Sequence, residues 1–232
     1  MKTLLEEVKA AGAGQGIQLV SPLSEHGIEV IAAGPGTYTT LVVALEGSIS
    51  GNLWQSLGAA TCTASHFTNG GILETFDGGM VERVRANITD YASGSKATAA
   101  IAADAATGVT PASGESVSID GTTYTFQTAS LATDGFVIIG ADYAAALANL
   151  LSAINYTGAP GVDYAGTEAH NSVSATASTA GQILLEALEY GTDGNSIALT
   201  GSGATLAVSG ATMSGGTDQG LVTVNYTPYP TL

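Results

Sequence analysis

The chain has 232 residues, of which 45% are apolar and only 11% are charged, and it contains 31 glycines. This composition is typical of a folded, turn-rich β protein and excludes a disordered one, because disorder requires low hydrophobicity together with high charge. Five basic residues face twenty acidic ones, for a net charge of −15, which argues against binding to nucleic acid or to an anionic membrane.

The first 16 residues are predicted to form an N-terminal helix followed by an arm. Leu4, Leu5 and Val8 would share one side of this helix, and the glycines from Gly12 onward would end it. We treat the three apolar side chains as candidate contacts for a neighbouring molecule. Acidic residues stand where a signal peptide would have its apolar core, so we expect the chain to be made and folded in a cytosol.

From residue 17 to about residue 92 the sequence predicts short β segments separated by turns. In one of them Leu41, Val43 and Leu45 alternate with Thr40, Val42 and Ala44, which is the period of a half-buried strand. Strands of this length and spacing indicate an antiparallel β-sandwich or jelly roll.

A change in composition marks a boundary at residues 92–116, which are rich in Ala, Gly, Ser and Thr and poor in bulky side chains. Beyond it, Asp120-Gly121 lies between two β-like segments and predicts a hairpin, because a tight turn requires positive φ angles there. A third strand is predicted in the sequence GFVIIG at residues 135–140.

The clearest helix is predicted in ADYAAALANLLSAIN, where Asp142 is placed as an N-cap. Its apolar residues recur at the spacing of one helix face and should lie across a sheet: Leu147, Leu150, Leu151 and Ile154.

Further strands of that sheet are predicted in NSVSATAS, QILLEALEY and NSIALTGSG. Residues 182–190 (QILLEALEY) are ambiguous, because Leu, Glu and Ala also favour helix, and we interpret them as a strand from the flanking glycines.

The alternating final segment, residues 221–226, would return to the first sandwich. The predicted fold is therefore mainly β, with a discontinuous β-sandwich or jelly-roll domain (residues 17–95 plus 218–232) and an inserted α+β domain (residues 97–217) that carries one clear helix.

Residues 41–58, together with 80–95 and 222–226, resemble a pattern of small virion proteins from tailed bacteriophages. The pattern is a strand, a Gly-Ser-x-x-Gly-x-x-Trp turn, a Leu-Gly pair, a Val-Arg-Ala-Asn strand and a final strand. Its positions in this chain are Gly47, Ser48, Gly51, Trp54, Leu57, Gly58, Val84, Arg85, Ala86 and Asn87. Residues 115–129, 144–155 and 190–200 separately resemble a domain that recurs in phage tail, baseplate and capsid-surface proteins.

This resemblance implies a non-enzymatic structural protein of the virion, without a cofactor. The first choice is a capsid decoration (cement) protein on the outer capsid surface, with the major capsid protein as partner and a homotrimer as a plausible assembly. One alternative is a tail, neck or baseplate component. Another is a carbohydrate-binding adhesion module.

Trp54 is the only tryptophan. We interpret it mainly as a packing residue of the core or of a domain junction, with a partner interface and a sugar-stacking platform as alternatives. Sugar sites usually recruit several aromatic residues, and residues 45–58 contain one.

Arg83 and Arg85 are two of the five basic residues and stand two positions apart, so in a strand both project from the same face. One interpretation is a pair of local ion pairs, for example with Glu82 or Asp90. The other is an anchor to acidic groups of a coat protein or of a neighbouring copy, a role for which the rigid guanidinium fork suits arginine.

The residue types that most often bind metals, histidine and cysteine, are scattered along the sequence. His26, His66 and His170 have no paired spacing, and the single cysteine, Cys62, has no partner for a thiolate cluster. No metal site is predicted, and Cys62 is interpreted as a small buried residue.

Overall fold

The computed structural model describes residues 2–8, 10–33, 38–103, 109–129, 131–177, 181–202 and 205–228. The chain forms two compact units. The first unit comprises residues 1–94 and 218–232, and the second comprises residues 95–217. Both are built mainly from antiparallel strands, and each buries its own hydrophobic core.

The first unit contains seven described strands and one short helix. They are β1 (Lys2–Val8), β2 (Gly12–Ala13), β3 (Ile17–Ala33), β4 (Tyr38–Ser48), β5 (Gln55–Cys62), α1 (Ala64–Thr68), β6 (Ile72–Ser93) and β15 (Leu221–Pro228).

These strands form one sheet in the order β1, β15, β3, β6, β4, β5, with β2 also paired to β6. The long strand β6 pairs with three others (β2, β3 and β4), and all pairings in this sheet are antiparallel. The pairing of β6 with β3 and with β4 shifts register at several points. Such β-bulges bend a strand, which explains how segments that the sequence suggests are separate can form one strand of 22 residues.

The core of the first unit comes from one face of this sheet. Alternate residues of three of its strands are fully or almost fully buried: Leu41, Val43 and Leu45 on β4, Val84, Ala86 and Ile88 on β6, and Val222, Val224 and Tyr226 on β15. The alternation predicted for Leu41, Val43 and Leu45 is confirmed.

The predicted N-terminal helix is wrong, because residues Lys2–Val8 form strand β1. This strand pairs with β15, and the Thr3 hydroxyl donates a hydrogen bond to Oδ1 of Asn225 (3.0 Å). A helix of this length is marginal in water on its own, whereas the strand gains a hydrogen-bonded neighbour and buries Leu4. The predicted arm is also partly ordered, since Gly12 and Ala13 pair with β6.

The described residues of the second unit form two four-stranded sheets, one α-helix and a short 3₁₀ helix. One sheet has the order β10 (Phe136–Ile138), β9 (Thr122–Gln127), β8 (Ser116–Ile119), β13 (Leu199–Ser202), and the other β11 (Val173–Ala177), β12 (Gln182–Tyr190), β7 (Lys96–Ala103), β14 (Leu206–Val208). The helices are α2 (Tyr143–Asn155) and the 3₁₀ turn Thr192–Ser196.

The predicted helix is confirmed as α2, and its start is set by Asp142. The Asp142 carboxylate accepts a hydrogen bond from the Ala145 N–H (2.9 Å), one of the donors that the first turn of a helix leaves unpaired. Leu147, Leu150 and Ile154 are buried, while Leu151 lies at the edge of the core.

The predicted hairpin is also confirmed. Asp120 and Gly121 have φ angles of 47° and 83° and connect β8 to β9. The predicted third strand is confirmed as β10, which runs parallel to β9. Residues 182–190 form strand β12, as interpreted from the flanking glycines.

The segment at 92–116 is more than a boundary. Its residues Lys96–Ala103 form β7, which lies between β12 and β14 and buries Ala97, Ala99 and Ile101 on one face. Small residues can therefore line the inner face of a central strand, although they lack the bulk by which such a strand is usually recognised. Residues 104–108 of this segment lie outside the described residues.

No described helix is long and apolar enough to span a membrane.

Candidate binding surface around Trp54

The connection between β4 and β5 is a tight turn that closes on its own side chains. The Ser48 hydroxyl accepts a hydrogen bond from the Gly51 N–H (2.8 Å), and Gly51 has a φ of +81°. This turn joins two paired strands, and it contains the Gly-Ser-x-x-Gly-x-x-Trp pattern.

Trp54 is half-buried at the end of this turn and is not one of the side chains that form the described core of the first unit. The guanidinium carbon of Arg85 lies 4.4 Å from the ring centroid, a cation–π contact. A Cβ placed on Gly16 would lie 2.4 Å from Cη2 of the indole, so only glycine fits there. The interpretation of Trp54 as a core residue is therefore wrong, because the turn places the indole on Arg85.

Arg85 is held in place by Glu46, directly opposite on β4. Its Nε donates to Oε2 of Glu46 (2.6 Å), and Nδ2 of Asn87 donates to Oε1 of the same carboxylate (2.9 Å). Neither Glu82 nor Asp90, the suggested partners, forms this ion pair. Arg85 is thus committed to Trp54 and Glu46 within the sheet.

Arg83 is exposed on the same strand. Its Nε donates to Oε1 of Gln18 (2.9 Å), and its side chain lies against Gly51 of the turn. No ion pair of Arg83 is found among the described residues. Of the two arginines, Arg83 therefore has the charge more available to a partner.

Replacing Glu46 with alanine is expected to lower the free energy of unfolding by about 1 to 3 kcal/mol, because Arg85 and Asn87 lose their shared acceptor. The emission of Trp54 should change as well, since Arg85 rests on the indole. Urea unfolding followed by tryptophan fluorescence measures both effects. Glu82→Ala, which removes an exposed carboxylate from β6, is the control and should leave stability and emission near those of the parent.

An open groove of about 810 Å³ adjoins Trp54. Three large apolar side chains at the groove are mostly exposed: Leu53 (84%), Ile49 (69%) and Met80 (65%). Asp77 is the one charged residue among the lining side chains described. A cluster of exposed apolar side chains around a concavity is typical of a site that binds another molecule.

The other candidate residues lie apart from this groove. Leu4 is buried in the core of the first unit, and Leu5 and Val8 pack against that core from the edge strand β1. These three side chains are therefore apolar because they pack in or against the core of the first unit. It brings Trp54, Arg83 and Arg85 together around the β4–β5 turn.

The histidines have separate local partners. Nδ1 of His26 lies 2.9 Å from the Tyr226 hydroxyl, His66 accepts from the Thr63 N–H, and His170 bonds the Ile119 carbonyl and the Ser172 N–H. Within the described ranges, no three His, Cys, Asp or Glu residues are grouped as metal ligands.

Cys62 is buried at the end of β5, as expected. Burial, with a smaller effect from the Glu74 carboxylate, raises the pKa of its thiol to about 11. The folded pKa thus exceeds the unfolded value of about 8.5, so any stability linked to the neutral thiol is present below that pH and is lost as the pH rises towards 11.

We therefore expect native Cys62 to resist alkylation by iodoacetamide at pH 8, where on the order of one thiol in a thousand would be ionised. The same chain in concentrated urea should react at least about 100-fold faster. Mass spectrometry of timed samples measures both rates. Rapid, complete labelling of the native chain would contradict the assignment of Cys62 as a buried neutral thiol.

The groove is a feature that sequence reasoning missed. Leu53 and Met80 lie far apart in the sequence, and the bend of β6 brings Met80 towards the turn. The only signal in the sequence was an apolar residue, Leu53, within a turn of small and polar residues.

Comparison with known proteins adds no relationship, since no family model, no curated protein and no solved structure matches the chain.

Proposed function

We propose that this chain is a non-enzymatic structural protein of a tailed-bacteriophage virion, and specifically a capsid decoration protein that binds the outer coat lattice. The observation that carries the proposal is the exposed apolar groove. It lies at the turn whose sequence resembles phage virion proteins, and it offers Ile49, Leu53 and Met80 to a partner.

The charge of the chain supports a role outside a DNA-filled shell. At a net charge of −15 the protein has little to offer a phosphate backbone, and it repels other copies of itself at long range. Binding to a lattice must then rest on apolar and backbone contacts, which the groove provides.

The protein would act by binding alone, which stabilises the mature shell without a chemical reaction. The first unit, with its seven-stranded antiparallel sheet, would lie on the joints between coat subunits of the mature shell. A protein that binds only the mature form stabilises that form by mass action, by about 2.7 kcal/mol per site at a free concentration 100 times the dissociation constant. A homotrimer would match threefold positions of the lattice.

Titration of expanded, DNA-free coat shells with the purified protein tests this function. We expect saturable binding and a higher melting temperature of the shells, with much weaker binding to unexpanded shells as the control. If the protein binds neither kind of shell and instead assembles into rings, the function is that of a tail, neck or baseplate component.

The geometry gives less support to the alternative of a carbohydrate-binding module. Arg85 covers one face of Trp54, and Gly16 lies against the edge of the indole. A sugar that stacks on this indole would compete with the arginine, which Glu46 also holds.

A further inference from the structure

The two sides of strand β6 pair with different strands and over different lengths. One side pairs with β3 from Ile72 to Val84 and with β2 at Asn87 and Ile88. The other side pairs with β4, but only over Arg83–Ser93. Among the described strands, none pairs with this second side over residues 72–81.

Strand β5 also has a free side. It is the last strand of the sheet and pairs only with β4 among the described strands. Its sequence, QSLGAATC, contains no charged residue and no proline, which are the usual means by which an edge strand is protected. Gln55, Ser56, Ala59 and Thr61 are exposed along it.

Strands β5 and β6 contact each other through side chains, without backbone pairing among the described strands. A Cβ on Gly58 of β5 would lie 2.1 Å from the Phe76 ring, and one on Gly78 would lie 2.8 Å from Cβ of Leu57. We call the region between residues 55–62 and residues 72–81 the seam. The apolar groove beside Trp54 lies at one end of this seam.

The backbone of the seam selects the conformation of a ligand. Every second residue of an edge strand directs its N–H and C=O outward, and only an extended chain can pair with such a row. The exposed side chains of Ile49, Leu53 and Met80 call for apolar residues at the groove.

The charge of the seam selects the composition of that ligand. Residues 55–62 and 72–81 contain two carboxylates, Glu74 and Asp77, and no lysine, arginine or histidine. Asp77 lines the groove, and Glu74 lies near enough to Cys62 to raise the pKa of its thiol. An extended segment with basic residues is therefore complementary to the seam, whereas an acidic one is repelled.

We propose that strand β5 is a strand-addition site, at which an extended segment of the coat subunit pairs with the free side of β5. This segment carries an apolar side chain that enters the groove against Leu53 and Met80, and a lysine or arginine beside Asp77. The inference rests on the proposed function and specifies which part of the chain performs it and what the partner must look like.

A second copy of this chain is a poorer occupant. It carries the same net charge of −15, so two copies repel each other. Pairing of β5 with the β5 of another copy would also bring Glu74 and Asp77 of β6 near the same two carboxylates of that copy.

Hydrogen–deuterium exchange of the full chain, alone and bound to expanded coat shells, tests the proposal. We expect slower exchange on binding at the amides of residues 55–62. In parallel, Leu53→Glu should weaken binding to shells by at least about tenfold, because a charge enters the apolar contact. Val162→Glu, which alters another exposed apolar side chain (67%), in the second unit, is the matched control and should bind like the parent.

The charge assignment is tested by Asp77→Lys. This variant should also bind at least about tenfold more weakly at low salt, and the loss should shrink as salt screens the repulsion. Both variants alter exposed side chains, so their melting temperatures should stay close to that of the parent.

Each outcome decides the matter. If shells bind but the exchange of residues 55–62 does not change and Leu53→Glu binds normally, the strand-addition site is wrong while the decoration function stands. If the protein does not bind to shells at all, both the proposed function and the strand-addition site on β5 are wrong. Self-association that Leu53→Glu abolishes would assign β5 to a second copy instead of the coat.

Discussion

A chain in which residues 95–217 are replaced by a Gly-Gly linker is expected to fold and to keep the Trp54 fluorescence and thermal transition of the parent. The described core of the first unit contains only residues before Gly94 or after Asp218. The two chain segments that meet the insertion are already adjacent, because the Gly220 N–H donates to the Ser93 hydroxyl (2.7 Å) and the Tyr91 hydroxyl bonds the Gly220 carbonyl. A short linker can therefore join them.

The informative control is the chain that stops at Gly94. It lacks the insertion too, but it also loses β15, the strand between β1 and β3. Val222, Val224 and Tyr226 are buried there, and burial of each such side chain contributes about 1.5 to 3 kcal/mol, against about 5 to 15 kcal/mol for the stability of a whole domain.

We expect this truncated chain to be unfolded or insoluble. Circular dichroism and size-exclusion chromatography compare the two chains. If the linked chain aggregates, or if the truncated chain folds equally well, then residues 1–94 and 218–232 do not form one discontinuous folding unit.

Replacing Leu150 with alanine is expected to destabilise the second unit by about 2 to 5 kcal/mol, because Leu150 of α2 is fully buried and its loss leaves a cavity. The melting temperature of that unit should fall on the order of 10 °C. The first unit has a separate core and contains Trp54, the only tryptophan. The transition seen by tryptophan fluorescence should therefore stay in place.

Leu184→Ala is the matched control, since the same atoms are removed from a side chain that is 44% exposed on β12. Its cost should be below about 1 kcal/mol. Near-ultraviolet circular dichroism reports the aromatic residues of both units, including the buried Tyr124 and Tyr164 of the second, whereas fluorescence follows Trp54 of the first unit alone. Equal shifts of both signals in Leu150→Ala would show that the two units unfold as one.

Local sequence signals predicted the elements whose structure depends on local interactions. Asp142 and the apolar stripe define α2 within the helix itself, and Asp120-Gly121 defines a hairpin turn. The glycines around residues 182–190 correctly favoured a strand over the helical propensity of Leu, Glu and Ala. The junctions of the insertion were predicted near residues 95 and 217, and the two units divide at 94/95 and 217/218.

Elements that depend on distant partners were not predicted. Strand β1 forms because β15, more than 200 residues later, offers it a pairing edge, and the Leu-Glu-rich sequence gives no sign of that neighbour. The alanine-rich sequence of β7 indicated only a boundary, because its role as a strand depends on pairing with β12 and β14.

Dependence on residues that are distant in the sequence also explains why the contacts of the candidate residues were not predicted. Arg83, Arg85 and Trp54 are close together in the structure, but the ion pair depends on Glu46, and the position of the indole depends on Gly16. The prediction of Trp54 as a core residue was wrong because the indole packs against Arg85 and Gly16 and does not join the described core of the first unit.

The ends of the second unit have a practical consequence. Ser95 and Thr217 exchange two backbone hydrogen bonds of 3.0 Å each, so the chain enters and leaves this unit at one point. A foreign domain whose termini are equally close can take the place of residues 95–217 without stretching strands β6 and β15. The first unit would then act as an adaptor that presents an unrelated cargo, such as an antigen or an enzyme, on whatever surface it binds.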